Sequence, residues 1–373
     1  MRRFLAAALF VAGLPVAALA SSGSPPTGRD APVAPPRFGG RVDVRLFTVV
    51  VRVVDGAGNP VLGLKPEDFR ARVGKKEVPV AAVDWISSEG APAAEESPGG
   101  AAAPGSPAPA APPPAAPAPS GPAGKLVVLF VQADNNDPGR TRGHLRTLQS
   151  IPHLLAALQP SDLVAVVAFD SHLKLWLDFT RDREPVPTAV YRAIRFGGHP
   201  PELRGGGGEP ASLAPHFDLG KALRAASTER GLEVTAEALA RLPGEKVMVL
   251  LGWGLGNFGP FGTEMTPAFA PAVRALGAAR VTVFVLDVTD ADAHDLEVGL
   301  RGIAEATGGT YDKTNIFPTL AVRHLARAIS GYYVLSFDPD TLPRRGGPLE
   351  IDLRDRRHRR GTVLVRPTAV GVD

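Results

Sequence analysis

Cysteine is absent from all 373 residues. No disulfide can brace the chain, and thiol nucleophiles and thiolate metal sites are excluded. An excess of one charge is also lacking: the formal net charge is +3, which does not suggest a nucleic-acid binder. The eight histidines are scattered and no two have H-x-x-x-H spacing, so a zinc-protease helix has no support. No G-x-S-x-G turn occurs, and with it goes the simplest serine-nucleophile reading. No apolar run, that of Phe4 to Leu14 included, is long enough to span a bilayer.

What is present begins with an export pattern. Arg2 and Arg3 precede an apolar run, Phe4 to Leu14, and Ala18-Leu19-Ala20 has the small-x-small form of a cleavage site. Residues 1–20 are therefore expected to be a signal peptide and the mature chain to be exported, periplasmic or secreted. A Ser/Pro/Gly-rich leader over 21–37 follows. A small β unit is expected over 38–87. Val49, Val51 and Val53 alternate, Asp55-Gly56-Ala57-Gly58-Asn59 suits a turn, and Phe69, Val73, Val78, Val83 and Trp85 supply further strand residues. Residues 88–124 are nearly all Ala, Pro, Gly, Ser and Glu and can build no core, so they read as a linker.

From Lys125 strands alternate with helices. Leu126–Val131, Leu163–Phe169, Val247–Leu251 and Val281–Leu286 are short apolar runs of the kind buried on both faces of a parallel sheet. Leu173–Phe179 alternates as an edge strand does. Leu145, Leu148, Ile151, Leu155 and Leu158 follow helical spacing, interrupted at Pro152. Further helices are expected over 185–194, from a cap at Asp218 to Leu242, and over 266–279, 295–306 and 318–329. Gly308-Gly309 stops the fourth of these. Strands over 332–337, 349–353 and 362–365 close the chain. The expected fold class is α/β: a doubly wound, mainly parallel sheet over 125–335, plus a smaller all-β sandwich-like unit. Neither residues 38–87 nor residues 336–373 have enough strands alone, so the two sets are expected to combine.

Several stretches carry a resemblance. They are Val51–Asp55 with Gly63–Phe69, Asp178-Phe179-Thr180-Arg181-Asp182, Leu242–Lys246, Ala304–Gly309 and Tyr332–Leu335. In this order and spacing they resemble the von Willebrand factor A-related family of secreted bacterial proteins. The resemblance implies an A-type domain, in which a divalent ion often sits at the strand ends on an Asp-x-Ser-x-Ser turn, a second-loop Thr and a third-loop Asp. Against that pattern stand Gln132 for the first Asp, with Asp134 and Asn136 in the same turn, Phe217 for the Thr and Trp253 for the last Asp. The expectation is a degenerate metal site, no cofactor, and no enzyme activity. The alternative is a Mg²⁺- or Ca²⁺-dependent adhesion module on the residual carboxylates Asp134 and Asp287.

Other features weigh less. Gly254-Leu255-Gly256-Asn257-Phe258-Gly259 fits G-x-G-x-x-G, but Pro260-Phe261-Gly262 follows where a dinucleotide site needs a helix. Asp178 and Asp182 lie four apart at a strand end and turn, where solvated carboxylates are the rule. The basic run Arg354–Arg360 reads as a charged strand edge, with contact to an anionic polymer as the rival. Trp253, Phe258, Phe261 and Phe269 are expected on loops above the crevice. There, with Asp134 and Asp287, they form a candidate surface for a protein or envelope component.

Overall fold

Strand β1 (Phe47–Val54) shows how the chain joins two layers. Side chains alternate along a strand. Val49, Val51 and Val53 point into one apolar core, while Arg52 and Val54 are buried on the opposite face. Val54 belongs to the core of the α/β part. The computed structural model describes residues 46–87, 124–134, 136–195, 209–343, 346–354, 361–366 and 368–370. The expected signal segment and leader, the linker apart from Gly124, the Gly-rich loop at 197–208, Asn135 and the basic residues 355–360 lie outside the described residues.

After β1 come β2 (Phe69–Val73), β3 (Lys76–Val78) and β4 (Ala82–Ser87). The α/β part follows. It contains β5 (Leu126–Gln132), α1 (Pro138–Leu148), α2 (Ile151–Ala157), β6 (Leu163–Phe169), β7 (Leu173–Thr180), α3 (Pro185–Arg195), α4 (Leu219–Leu223) and α5 (Thr228–Leu239). It continues with β8 (Lys246–Gly252), β9 (Asn257–Gly259), β10 (Gly262–Glu264), α6 (Phe269–Ala278), β11 (Val281–Asp287), α7 (Glu297–Thr307), β12 (Tyr311–Lys313) and α8 (Pro318–Ala328). The chain closes on β13 (Gly331–Phe337), β14 (Gly347–Leu353), β15 (Thr362–Val365) and β16 (Thr368–Val370).

The central sheet has the order β12-β11-β8-β5-β6-β7. Every neighbour pair is parallel except β6 with β7, so β7 is the antiparallel edge. Alternate residues of β5 feed two cores. Val128 and Phe130 meet Leu232, Leu276 and Leu300 on one face; Val127, Leu129 and Val131 meet Leu154, Val190 and Val322 on the other. Burying each such side chain contributes about 1.5–3 kcal/mol, which makes this double-sided burial the main reason the sheet forms. Strand order turns back between β5 and β8, so the crevice lies beyond their carboxyl ends.

Two four-stranded antiparallel sheets, β15-β1-β13-β4 and β16-β14-β2-β3, face a separate core. Phe69, Ala71, Leu349 and Ile351 from one sheet meet Val51, Tyr333, Leu335 and Phe337 from the other. Strand β16 was not anticipated from the sequence.

The expected helix from Asp218 to Leu242 is two helices. Asp218 caps only α4, accepting from the Lys221 N–H, and Ser227 caps α5, accepting from the Arg230 N–H. A second capping side chain restarts the helix because it satisfies N–H groups that the preceding turn cannot. Pro152 likewise marks a restart, in the first turn of α2. Gly308, at φ 74°, ends α7 in the left-handed conformation.

Candidate functional site

The crevice floor is built around the last residue of β5. The Gln132 side chain is 3% exposed. Its Nε2 donates to the Gly254 carbonyl at 2.6 Å and to the Thr228 hydroxyl at 3.1 Å. Its Oε1 accepts from the N–H groups of Trp253 at 2.9 Å and Gly254 at 3.3 Å. One neutral amide thus ties β5 to the loop after β8 and to the first turn of α5.

Thr228, not Phe217, stands at this point. Phe217 is buried in the core beneath, following a short turn over 214–216. The sequence expectation put the second-loop residue at the wrong helix start, because both Asp218 and Ser227 open helices. The Ser227-Thr228 pair was the available signal.

Trp253 does not project into solvent. Its ring packs against the core on the α1 side, and the Arg140 guanidinium lies over it at 3.4 Å. Arg140 pairs with Asp134 at 2.6 Å, and Asp134 also accepts from the Asn136 N–H at 2.9 Å. The Trp253 indole N–H is buried with no acceptor among the described residues. Below lies His144, whose ring nitrogens face the carbonyls of Arg140 and Leu251. Burial holds its pKa below the ordinary imidazole range.

Asp287 ends β11, with β8 between it and β5. It therefore has its own partners and is not joined with Asp134. It accepts from His294 Nε2 at 2.8 Å, the Tyr311 hydroxyl at 2.5 Å and the Thr289 N–H at 2.9 Å. Burial pushes its pKa up, but these hydrogen bonds outweigh burial and hold it below the usual carboxylate range. Desolvation and the Asp287 bond push the Tyr311 phenol far up. Glu297 stands close by, 2.6 Å from the Lys313 ammonium.

The G-x-G-x-x-G stretch runs into a hairpin. Strands β9 and β10 pair in register from Gly259 with Gly262, leaving Pro260 and Phe261 at the tip. Helix α6 begins only at Phe269, so no helix N-terminus meets the last glycine. Phe258 is 70% exposed and Phe261 is 99% exposed. Phe269, expected on the surface, packs against the core instead.

Sequence reasoning missed a second apolar group. Ile316, Phe317 and Leu320 are exposed where β12 leads into α8, at the same edge of the sheet. The loop over 288–296 lies between the two groups. Thr263 Oγ1 donates to the Asp295 carbonyl at 2.7 Å, and Asn315 Nδ2 donates to Asp292 at 2.8 Å.

Asp178 departs from expectation as well. It is buried, and it accepts from the N–H groups of Phe179, Leu213 and Ala214 and from the Ser212 hydroxyl. It is a clamp for the 212–214 segment and not a solvated carboxylate. Arg354, the described start of the basic run, pairs with Glu77 and donates to the Phe69 carbonyl at 3.1 Å. That is the behaviour of a strand-edge charge.

No protein-family model matches the chain, and no curated protein matches it. Solved structures similar to the chain include three from bacteria. An aerotolerance-related membrane protein from Bacteroides fragilis is 12% identical, with 55% of this chain and 98% of that one covered and a TM-score of 0.37. The conserved hypothetical protein BatB from Bacteroides thetaiotaomicron is 13% identical, with 55% and 97% covered and a TM-score of 0.35. A von Willebrand factor type A structure from Catenulispora acidiphila is 14% identical, with 66% of each chain covered and a TM-score of 0.37.

Proposed function

We propose that the chain is an exported, non-catalytic binding module. Its crevice works without an ion, and its apolar rim holds a protein or cell-envelope component. The observation that carries this reading is a juxtaposition at the carboxyl edge of the sheet. The Gln132 amide closes the crevice floor, and the adjacent hairpin presents Phe258 and Phe261 to solvent.

The physics behind each half is simple. A hard divalent cation needs oxygen ligands carrying negative charge. Gln132 is neutral, and its one acceptor atom already serves two backbone N–H groups. Asp134, the nearest residual acid in the same loop, is neutralised by Arg140. The cation of this crevice is a guanidinium built into the chain. Exposed aromatic side chains on loops over a rigid sheet suit burial against a partner, since large apolar groups dominate contact energetics. The export pattern of residues 1–20 supports a role outside the cytoplasm. No helix among the described residues is long and apolar enough to cross a membrane.

The test is capture from an envelope extract by the mature chain and by a Phe258→Ser, Phe261→Ser variant, each with Mg²⁺ or with EDTA. The expected result is a component held by the parent chain in both buffers and lost by the variant, whose changes are solvent-facing and leave the fold intact. Capture that survives the double substitution, or that needs Mg²⁺, overturns the reading.

A further inference from the structure

We propose that Asp287, His294 and Glu297 form a binding site for a divalent transition-metal ion of the zinc class, two strands along the sheet from Gln132. One ligand atom from each lies within 4.8 Å of the others. The three come from the end of β11, the 288–296 loop and the first residue of α7. An ion there would fasten that loop to the sheet. This inference does not rest on the binding role proposed for the rim.

The donor set decides the class of ion. An imidazole nitrogen with two carboxylate oxygens suits zinc-like ions, whereas Mg²⁺ and Ca²⁺ favour oxygen alone. The spacing is also right. Two donors each about 2.0–2.1 Å from a tetrahedral ion stand roughly 3.3 Å apart. His294 Nε2 and Asp287 Oδ2 are now 2.8 Å apart, so a small outward shift makes room. Three protein ligands leave a fourth position open. The Tyr311 hydroxyl lies between the two carboxylates, 2.5 Å from Asp287 and 3.4 Å from Glu297. Asp287 is 2% exposed and its backbone carbonyl accepts from the N–H and hydroxyl of Thr314, so the innermost ligand is fixed in position. That preorganisation is what a metal ligand requires.

Two groups oppose the ion, the first being the Arg301 guanidinium, 3.3 Å from Glu297 Oε1. The Lys313 ammonium, 2.6 Å from Glu297, holds the counter-charge position. Binding of a cation therefore requires Lys313 to swing outward, and the site binds more tightly without it.

The experiment is equilibrium dialysis of the metal-stripped full chain against Zn²⁺ at pH 7.5, with bound metal measured per chain. The expected result is one ion per chain. His294→Ala and Glu297→Gln should each weaken binding by at least about tenfold, and Lys313→Met should strengthen it by a similar factor. His153→Ala, a histidine elsewhere on the surface, should bind as the parent does. Thermal melting without metal checks that each variant is folded; Glu297→Gln, at a partly exposed helix start, serves if His294→Ala is not. No binding by the parent chain, or equal binding by Glu297→Gln, overturns the proposal. Capture through the rim is measured separately and can succeed or fail without it.

Discussion

The guanidinium carbon of Arg140 stands over the indole ring of Trp253, 3.4 Å from its centre. The charge is a half-turn from its own helix start, on α1, and the ring follows β8, so the contact joins that helix to the loop after β8. A cation over an aromatic face contributes about 0.5–2 kcal/mol, depending on desolvation. Arg140→Ala is expected to lower stability by about 1–2 kcal/mol in urea unfolding, with Arg140→Lys recovering only part because an ammonium cannot stack. Full recovery by lysine would show that charge alone matters.

Trp253→Phe separates the ring from its N–H. The indole N–H is buried without an acceptor among the described residues, so removing it relieves a desolvation cost. Trp253→Phe should therefore change stability by less than about 1 kcal/mol, while Trp253→Ala, which empties the space, should cost about 2–3 kcal/mol. A large loss for phenylalanine would mean that the N–H is bonded after all.

Gln132 has the opposite character, since all of its bonding capacity is used. Gln132→Ala leaves the Trp253 and Gly254 N–H groups and the Gly254 carbonyl without that partner in a buried place. The expected cost is about 2–4 kcal/mol, read from the urea midpoint. Added Mg²⁺ is expected to leave the melting temperature of the parent chain unchanged, since an ion bound only by the folded state would raise it.

How much of this was legible in the sequence depends on the reach of the interaction. The apolar runs Leu126–Val131 and Val281–Leu286 revealed buried parallel strands because burial on both faces leaves no polar alternation. Pro152 and Gly308 revealed a helix restart and a helix stop because their backbone limits act locally. Gln132 was legible by position. Its partner Thr228 was not, because Asp218 caps a helix nine residues earlier and offered the same signal. Phe317 and Leu320 were hidden for a related reason: helical spacing looks the same whether an apolar residue faces a core or open water. Asp287, His294 and Glu297 follow no fixed periodicity, since a loop separates the strand end from the helix start. Only the folded chain brings them together.

Two buried or half-buried histidines give opposite responses to pH. His324 bonds Asp312 at 2.7 Å, and that bond raises its pKa above the ordinary value of about 6.5. The folded state then holds its proton more tightly, so this stabilisation is fully present below about pH 6.5 and is lost as pH rises through the raised value. His144 is the reverse. Burial lowers its pKa, so the unfolded state binds the proton more readily, and stability falls as pH drops below about 6.5. Unfolding measured from pH 5 to 9 should show His324→Gln losing the alkaline decline and His144→Gln losing the acid one. If either variant keeps the parent profile, that histidine is not the titrating group.

The buried contact between Arg52 and Glu245 holds the β1 sheet against the amino end of β8. Arg52 is 2% exposed; it bonds Glu245 at 2.5 Å and Thr282 at 3.3 Å, and it lies near the rings of Phe284 and Tyr332. Breaking one side of a buried pair strands the other charge, at a cost of about 3–5 kcal/mol, whereas replacing both by apolar groups is often near neutral. Glu245→Ala should therefore destabilise strongly, and Arg52→Met in the same chain should recover most of the loss. If the double variant is no better than Glu245→Ala alone, the stranded guanidinium is not the cause, and the loss must come from packing at the Glu245 position. A chemical-unfolding cycle over the four chains decides between the two, because only a stranded charge produces a coupling of this sign.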